Sequence, residues 1–153
     1  MATNQYYKKR LIKAEQFDGS RKMAERYHML VWVMTADTEL WKIDTLEGHL
    51  LVKTGDWIAT GSNGEHWPIK DDIFRKTYVE LPAIPQKVAD YIQKAKSGTW
   101  GIIDCYYHVA DNVTACGLDG VRDWEHWIVD HQDAFARAWL GGYRIEEDEH
   151  EES

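Results

Sequence analysis

The chain has 153 residues, 44% of them apolar and eight of them Trp, with a formal net charge of −8. That length accommodates one ordinary domain or two very small ones, and large buried indoles complete a core too small to be built from aliphatic side chains alone. No run of about 18 apolar residues is present to span a membrane, no apolar signal segment opens the chain, and two cysteines, Cys105 and Cys116, make no disulfide framework; a reduced, cytoplasmic protein is expected.

Residues 8–17, "KKRLIKAEQF", read as a strand, and "DGS" at 18–20 as a turn. Ser20 is placed to cap a helix over "RKMAERYHMLV", where Met23, Tyr27 and Leu30 share a face. "ELWKIDTL" (39–46) alternates like a strand, "EG" at 47–48 fits a tight hairpin turn, and "HLLVK" (49–53) is the return strand. "WIAT" (57–60) and "EHW" (65–67) form a second hairpin across "GSNG", with Pro68 ending the strand. "DDIF" starts a helical turn with Asp71 and Asp72 at its positive end, and "KTYVEL" (76–81) is the last strand.

"PAIP" (82–85) breaks the pattern and reads as a linker. Beyond it the period becomes helical. "QKVADYIQKAKSG" (86–98) sets Val88, Tyr91, Ile92 and Ala95 on one face, with Gly98 suited to the helix end. Residues 100–113 are mixed, with helix favoured over strand. Val121, Trp124, Ile128, His131, Phe135 and Ala138/Trp139 then follow i, i+3/i+4 spacing up to "GG" at 141–142, with a break expected near Asp130. Residues 144–153, carrying Glu146, Glu147, Asp148 and Glu149, are expected to form an acidic disordered tail. The fold expected is therefore α+β: an antiparallel β-rich module with one helix over 1–81, a linker at 82–85, and a helical module over 86–143.

Charge divides along the same line. Residues 1–80 hold 12 basic and 12 acidic side chains, whereas residues 81–153 hold 6 and 14. The acidic half lacks the broad basic footprint of nucleic-acid binding, which argues against nucleic acid as its partner.

The N-terminal half resembles a small phage protein family. Its pattern appears here as Gln16, Phe17, Asp18 and Gly19, then "TLEG" at 45–48, and then Gly55, Asp56, Trp57, Ile58, Gly61, Gly64, Glu65, Trp67, Pro68, Lys70, Asp72, Ile73, Phe74, Thr77 and Tyr78. Many relatives have a Cys and a Pro where this chain has Ile69 and Asp71, so thiol chemistry at that place is absent. The C-terminal half is similar to a domain common in phages of lactic-acid and related Gram-positive bacteria, through Pro85, "VADYI" at 88–92, "FARAWL" at 135–140, Gly142 and Tyr143. Together the two resemblances imply a phage early or accessory gene product; they carry over no catalytic residue.

Chemistry is weighed residue by residue. Cys105, His108 and Cys116 form a C-x2-H…C arrangement with His126 and His131 in reserve, but the spacing lacks the paired ligands of a zinc site, and buried reduced thiols are the default. "EHWIVDH" separates its two histidines by i, i+5 and so is not a zinc-peptidase motif. No nucleophile elbow, phosphate loop or dinucleotide fingerprint is present. Asp56, Glu65, His66, Asp71 and Asp72 could cluster for acid–base work, although turn-rich polar residues are more often solvated. No catalytic residue, cofactor or metal is expected.

Two binding readings remain. Trp124, Trp127 and the acidic Glu146, Glu147, Asp148 and Glu149 are candidates for contact with a basic host protein, the chain acting as a non-enzymatic inhibitor of a defence nuclease of CRISPR or restriction type. Alternatively Trp41, Trp57, Trp67 and His66 are candidates for stacking on a small nucleotide signal. An enzyme of nucleotide metabolism is a third reading.

Overall fold

The computed structural model describes residues 3–7 and 10–147. The architecture is α+β, and the chain divides into two units, Met1–Val79 and Glu80–Ser153, each with its own hydrophobic core.

The N-terminal unit contains β1 (Lys13–Gln16), α1 (Arg21–Arg26), β2 (Leu30–Met34), β3 (Glu39–Thr45), β4 (Gly48–Val52), β5 (Trp57–Thr60), β6 (His66–Ile69) and α2 (Asp71–Thr77). Two three-stranded antiparallel sheets result, ordered β1-β5-β6 and β2-β3-β4. Alternation along β3 sends Trp41 and Ile43 inward, where they meet Phe17, Met23, Ala24, Met29, Val52 and Ile58. The Ser20 side chain accepts from the Met23 N–H (3.1 Å), as expected of an N-cap.

Four expectations for this unit are corrected. The first strand is confined to Lys13–Gln16, with Lys8 and Lys9 outside the described residues. The helix stops at Arg26, because His28 takes a positive φ (55°) and Leu30–Met34 are strand, not helix. Consecutive Leu-Val-Trp-Val favours extended backbone over another helical turn, and this local preference overrides the helical spacing of Leu30. Pro68 lies within β6 rather than ending it, since β6 is a sheet edge, where a missing N–H costs no ladder bond. The strand expected over 76–81 is absent; α2 continues to Thr77, stabilised by Asp71 and Asp72 in its first turn and Arg75 and Lys76 in its last.

The C-terminal unit runs β7 (Ala83–Ile84), α3 (Gln86–Ser97), α4 (Ile102–Cys116), a 3-10 turn (Leu118–Gly120), α5 (Asp123–Asp130), α6 (Gln132–Gly141) and β8 (Arg144–Ile145). Val88, Ala89, Ile92 and Ala95 form the buried stripe of α3, and they pack with Cys105, Val109, Ile128, Phe135 and Ala138. Asp104 and Glu125, each three residues into its helix, accept the N–H of Gly101 (2.7 Å) and Arg122 (3.1 Å), which closes the starts of α4 and α5. The break falls at His131, between α5 and α6.

The residues expected as a linker belong to this unit. Ala83 and Ile84 pair in parallel with Arg144 and Ile145, and Ile84 is fully buried. A hydrophobic residue flanked by two prolines was legible as a breaker but not as a core side chain. The expected tail therefore begins as a strand; its residues 148–153 lie outside the described residues. Among the described residues no helix is long and apolar enough to cross a membrane.

Candidate functional site

Residues of the N-terminal sequence pattern hold one another in place. Gln16 donates to the Gly55 carbonyl (3.0 Å) and to Asp71 Oδ1 (3.3 Å). Trp57 stacks on Phe74, with ring centroids 4.1 Å apart, and donates its indole N–H to Asp71 Oδ1 (2.8 Å). That bond, with Arg75 beside it (2.8 Å), keeps the Asp71 carboxyl below the usual carboxylate range. Gly19 has φ +82°, and a Cβ there would stand 2.4 Å from Thr54 Oγ1, so both backbone and space demand glycine. Asp56 accepts the Lys53 N–H (2.9 Å). Glu65 accepts its own and the Asn63 backbone N–H groups and pairs with Arg10, which together lower its pKa. Asp56, Glu65 and Asp71, considered for joint acid–base work, are thus engaged separately.

The aromatic candidates of this unit also part company. Trp41 is buried at 4% exposure, its Nε1 without a hydrogen-bond partner, in the core of the second sheet. Trp57 is occupied by Phe74 and Asp71. Trp67 and His66 alone line a shared groove of about 330 Å³, together with Arg10, Glu47, Leu50 and Glu65. Arg10 stands 5.9 Å from the Trp67 ring centroid, and His66 is held by Thr60 Oγ1 (2.9 Å) and edge-on by Tyr27.

Sequence reasoning missed the most exposed apolar feature of the unit. All five residues of β2 are exposed: Leu30 and Trp32 at 53%, Val31 at 37%, Val33 at 41% and Met34 at 65%. The strand is an edge, paired only with β3, with an irregularity between Val31 and Val33. Lys42 Nζ lies 5.4 Å from the Trp32 ring, beside this apolar strip. Edge strands are ordinarily blunted by charge or proline. This one has neither. The signal was present as five successive apolar residues, which a helical reading of 21–31 absorbed.

In the C-terminal unit, Trp124 and Trp127 are half-buried. Trp127 stacks on His131, with centroids 4.5 Å apart, and Trp124 leans on Tyr91 at 4.7 Å. Glu146 and Glu147 are exposed; Asp148 and Glu149 lie outside the described residues. Cys105 is buried, which raises its thiol pKa, whereas Cys116 is exposed. Among the described residues no cluster of three His, Cys, Asp or Glu side chains could hold a metal ion.

Trp124 is one wall of a cleft of about 450 Å³ that also involves Tyr91, Trp100, His108, Lys94 and Arg122. The rings form a continuous run: Trp124 to Tyr91 (4.7 Å), Tyr91 to His108 (6.2 Å) and His108 to Trp100 (5.4 Å). Behind His108 a polar chain leads into the core. Glu125, only 3% exposed, accepts from Asn112 Nδ2 (2.5 Å), and the same nitrogen lies 3.3 Å from His108 Nε2. A carboxylate accepts, so the Asn112 amide nitrogen faces Glu125, with His108 Nε2 beside it. Burial of the Tyr91 hydroxyl against the Cys105 carbonyl (3.1 Å) raises its pKa and keeps it neutral.

Residues 79–151 match the model of a family described as a protein of unknown function (DUF1642). No curated protein and no solved structure matches the chain.

Proposed function

We propose that this chain is a non-enzymatic phage accessory protein that binds a host protein and blocks it, the target being a basic, nucleic-acid-binding defence protein such as a CRISPR or restriction nuclease. The observation that carries the reading is the apolar edge strand Leu30–Met34, exposed along its whole length. Such a strand supports binding by strand addition, with main-chain hydrogen bonds giving affinity and Trp32 an aromatic anchor. The acidic C-terminal half complements it by drawing in a basic partner, an effect that salt screens. The N-terminal likeness to a phage family, beyond the C-terminal family match, favours a viral setting.

Affinity capture from Gram-positive host lysate, run in parallel with wild type and Val33→Lys, tests this reading. A basic nuclease retained in stoichiometric amount by wild type, lost in the variant, and inhibited by the purified chain is the expected result. Identical captures by both proteins, or a captured nuclease whose cleavage is unaffected, would sink it. The alternative, a nucleotide-signal binder built on the N-terminal aromatics, rests on the groove beside Trp67 and His66. It no longer draws on Trp41 or Trp57, whose rings are engaged elsewhere.

A further inference from the structure

The C-terminal unit is strongly acidic, yet its aromatic-walled cleft is not. Residues 80–153 carry six Lys and Arg against fifteen Asp and Glu. Two of those six, Lys94 and Arg122, line the cleft, and among the described residues no carboxylate does. Neither cation has an acidic partner within salt-bridge reach among the described residues. Random placement of charge on so acidic a unit would put carboxylates there first. A local inversion of charge in a concave, aromatic-walled space is a recognition feature, not a solvated face.

We propose that this cleft binds a free nucleoside monophosphate, the base lying against the run of rings from Trp124 through Tyr91 and His108 to Trp100, and the phosphate meeting Lys94 and Arg122. Each part of the ligand answers a part of the site. Indole and phenol faces stack on any base, and Trp100, 43% exposed on the loop between α3 and α4, forms the rim. A guanidinium and an ammonium supply charge-assisted hydrogen bonds to a phosphate. The His108 ring is fixed by Asn112 and Glu125, so its orientation is set before a ligand arrives. The cleft volume of about 450 Å³ lies in the range of small-molecule sites. The acidic surroundings disfavour a polyanion, which restricts the ligand to a free nucleotide rather than the end of a strand.

This site is built from residues of the C-terminal unit and involves none of the N-terminal aromatics, so its test does not depend on a host protein. Titration calorimetry of the full chain with the four ribonucleoside 5′-monophosphates, their nucleosides, inorganic phosphate and a 5′-phosphorylated hexanucleotide decides it. At least one monophosphate should bind about tenfold or more tighter than its nucleoside and than phosphate, since the phosphate adds charge-assisted bonds. Trp100→Ala should weaken it about 5- to 100-fold, the span of one base–aromatic stack. Arg122→Gln should weaken it about tenfold or more. Both changes spare the core: Trp100 is at the rim, and Arg122 closes α5 through its backbone N–H, which Gln retains. Unaltered melting of both variants checks this. Absence of heat with every monophosphate, equal affinity in both variants, or tighter binding of the hexanucleotide than of any mononucleotide would each overturn the proposal. Val33→Lys should leave the nucleotide isotherm unchanged.

Discussion

In the N-terminal unit the aromatic residues close a small β-core from within and along its flank, and five successive apolar residues stand on one exposed edge. In the C-terminal unit the core is mostly aliphatic and the rings of Tyr91, Trp100 and Trp124 border a cleft instead. The contrast follows from geometry. A strand exposes both its faces and its edge unless something covers them, so a three-stranded sheet with five apolar residues at its rim has surface to spare. Amphipathic helices bury one stripe each and leave gaps where helices diverge, and such gaps make clefts. On the two readings proposed above, one unit meets a surface and the other holds a small molecule.

The largest effects expected concern the two cores. Phe135→Ala, at a fully buried position with no polar atom, should cost about 3–5 kcal/mol, as should Trp41→Ala. Trp41→Phe separates the two cores. The indole N–H of Trp41 is buried without a hydrogen-bond partner, a situation that costs about 1–3 kcal/mol. Removing it offsets the lost ring volume, so the Phe variant should stay within about 1 kcal/mol of wild type. Hydrogen exchange of β3 and β5 amides, with those of α3 and α6 for Phe135→Ala, provides the measurement. A Phe variant as damaged as the Ala variant would mean that the indole N–H stabilises its surroundings, and the two cores would then be alike in kind.

Acid is the next lever. Glu15 is held below its ordinary pKa chiefly by the Tyr27 hydroxyl (2.7 Å), with Arg26 adding to it; Asp71 by the Trp57 indole and Arg75; Glu65 by backbone N–H groups and Arg10. A folded pKa below the unfolded value means stability that is present above about pH 4 and lost as pH falls through the folded values. The N-terminal unit should accordingly lose melting temperature between pH 5 and 3, and Asp71→Asn should flatten that loss while lowering stability at neutral pH. Calorimetric scans across that window test both signs. A variant with the full acid dependence of wild type would remove Asp71 from the account.

Much of the fold was legible because periodicity and turn chemistry agreed. The α3 stripe of Val88, Ile92 and Ala95 and the break beside Asp130 follow from local signals, as does the β3–β4 hairpin, although its two turn residues are Leu46 and Glu47 and Gly48 already belongs to β4. The failures came where local signals competed or where pairing was remote. Helical spacing ran on through Leu30 although the β-branched run took the backbone elsewhere. Ile84 finds its partner strand sixty residues later, a contact that no window of sequence contains. The cleft was hidden for the same reason. Lys94, Trp100 and Arg122 lie in three separate segments, and local patterns present Tyr91 as part of a helix face, His108 as a candidate zinc ligand and Trp124 as an interface anchor.

The smallest effect expected concerns how helices end. In the C-terminal unit, α4 and α6 stop at Gly117 (φ 75°) and Gly142 (φ 98°), residues that take a left-handed backbone without penalty. In the N-terminal unit the same task falls to His28. Its N–H reaches the Glu25 carbonyl (3.0 Å) and the Met29 N–H reaches that of Ala24 (2.8 Å), the paired bonds of a Schellman ending, with a side chain where glycine is preferred. His28→Gly should stabilise the unit by about 1 kcal/mol through relief of the left-handed strain, which raises the midpoint of an 80-residue unit by about 4–8 °C. His28→Ala removes the same imidazole without relieving the backbone, so it should give no gain. Equal stabilisation by Gly and Ala would place the cost in the imidazole rather than in φ. A gain from Gly alone would leave α1 as the one helix end where the N-terminal unit sacrifices stability that its neighbour keeps.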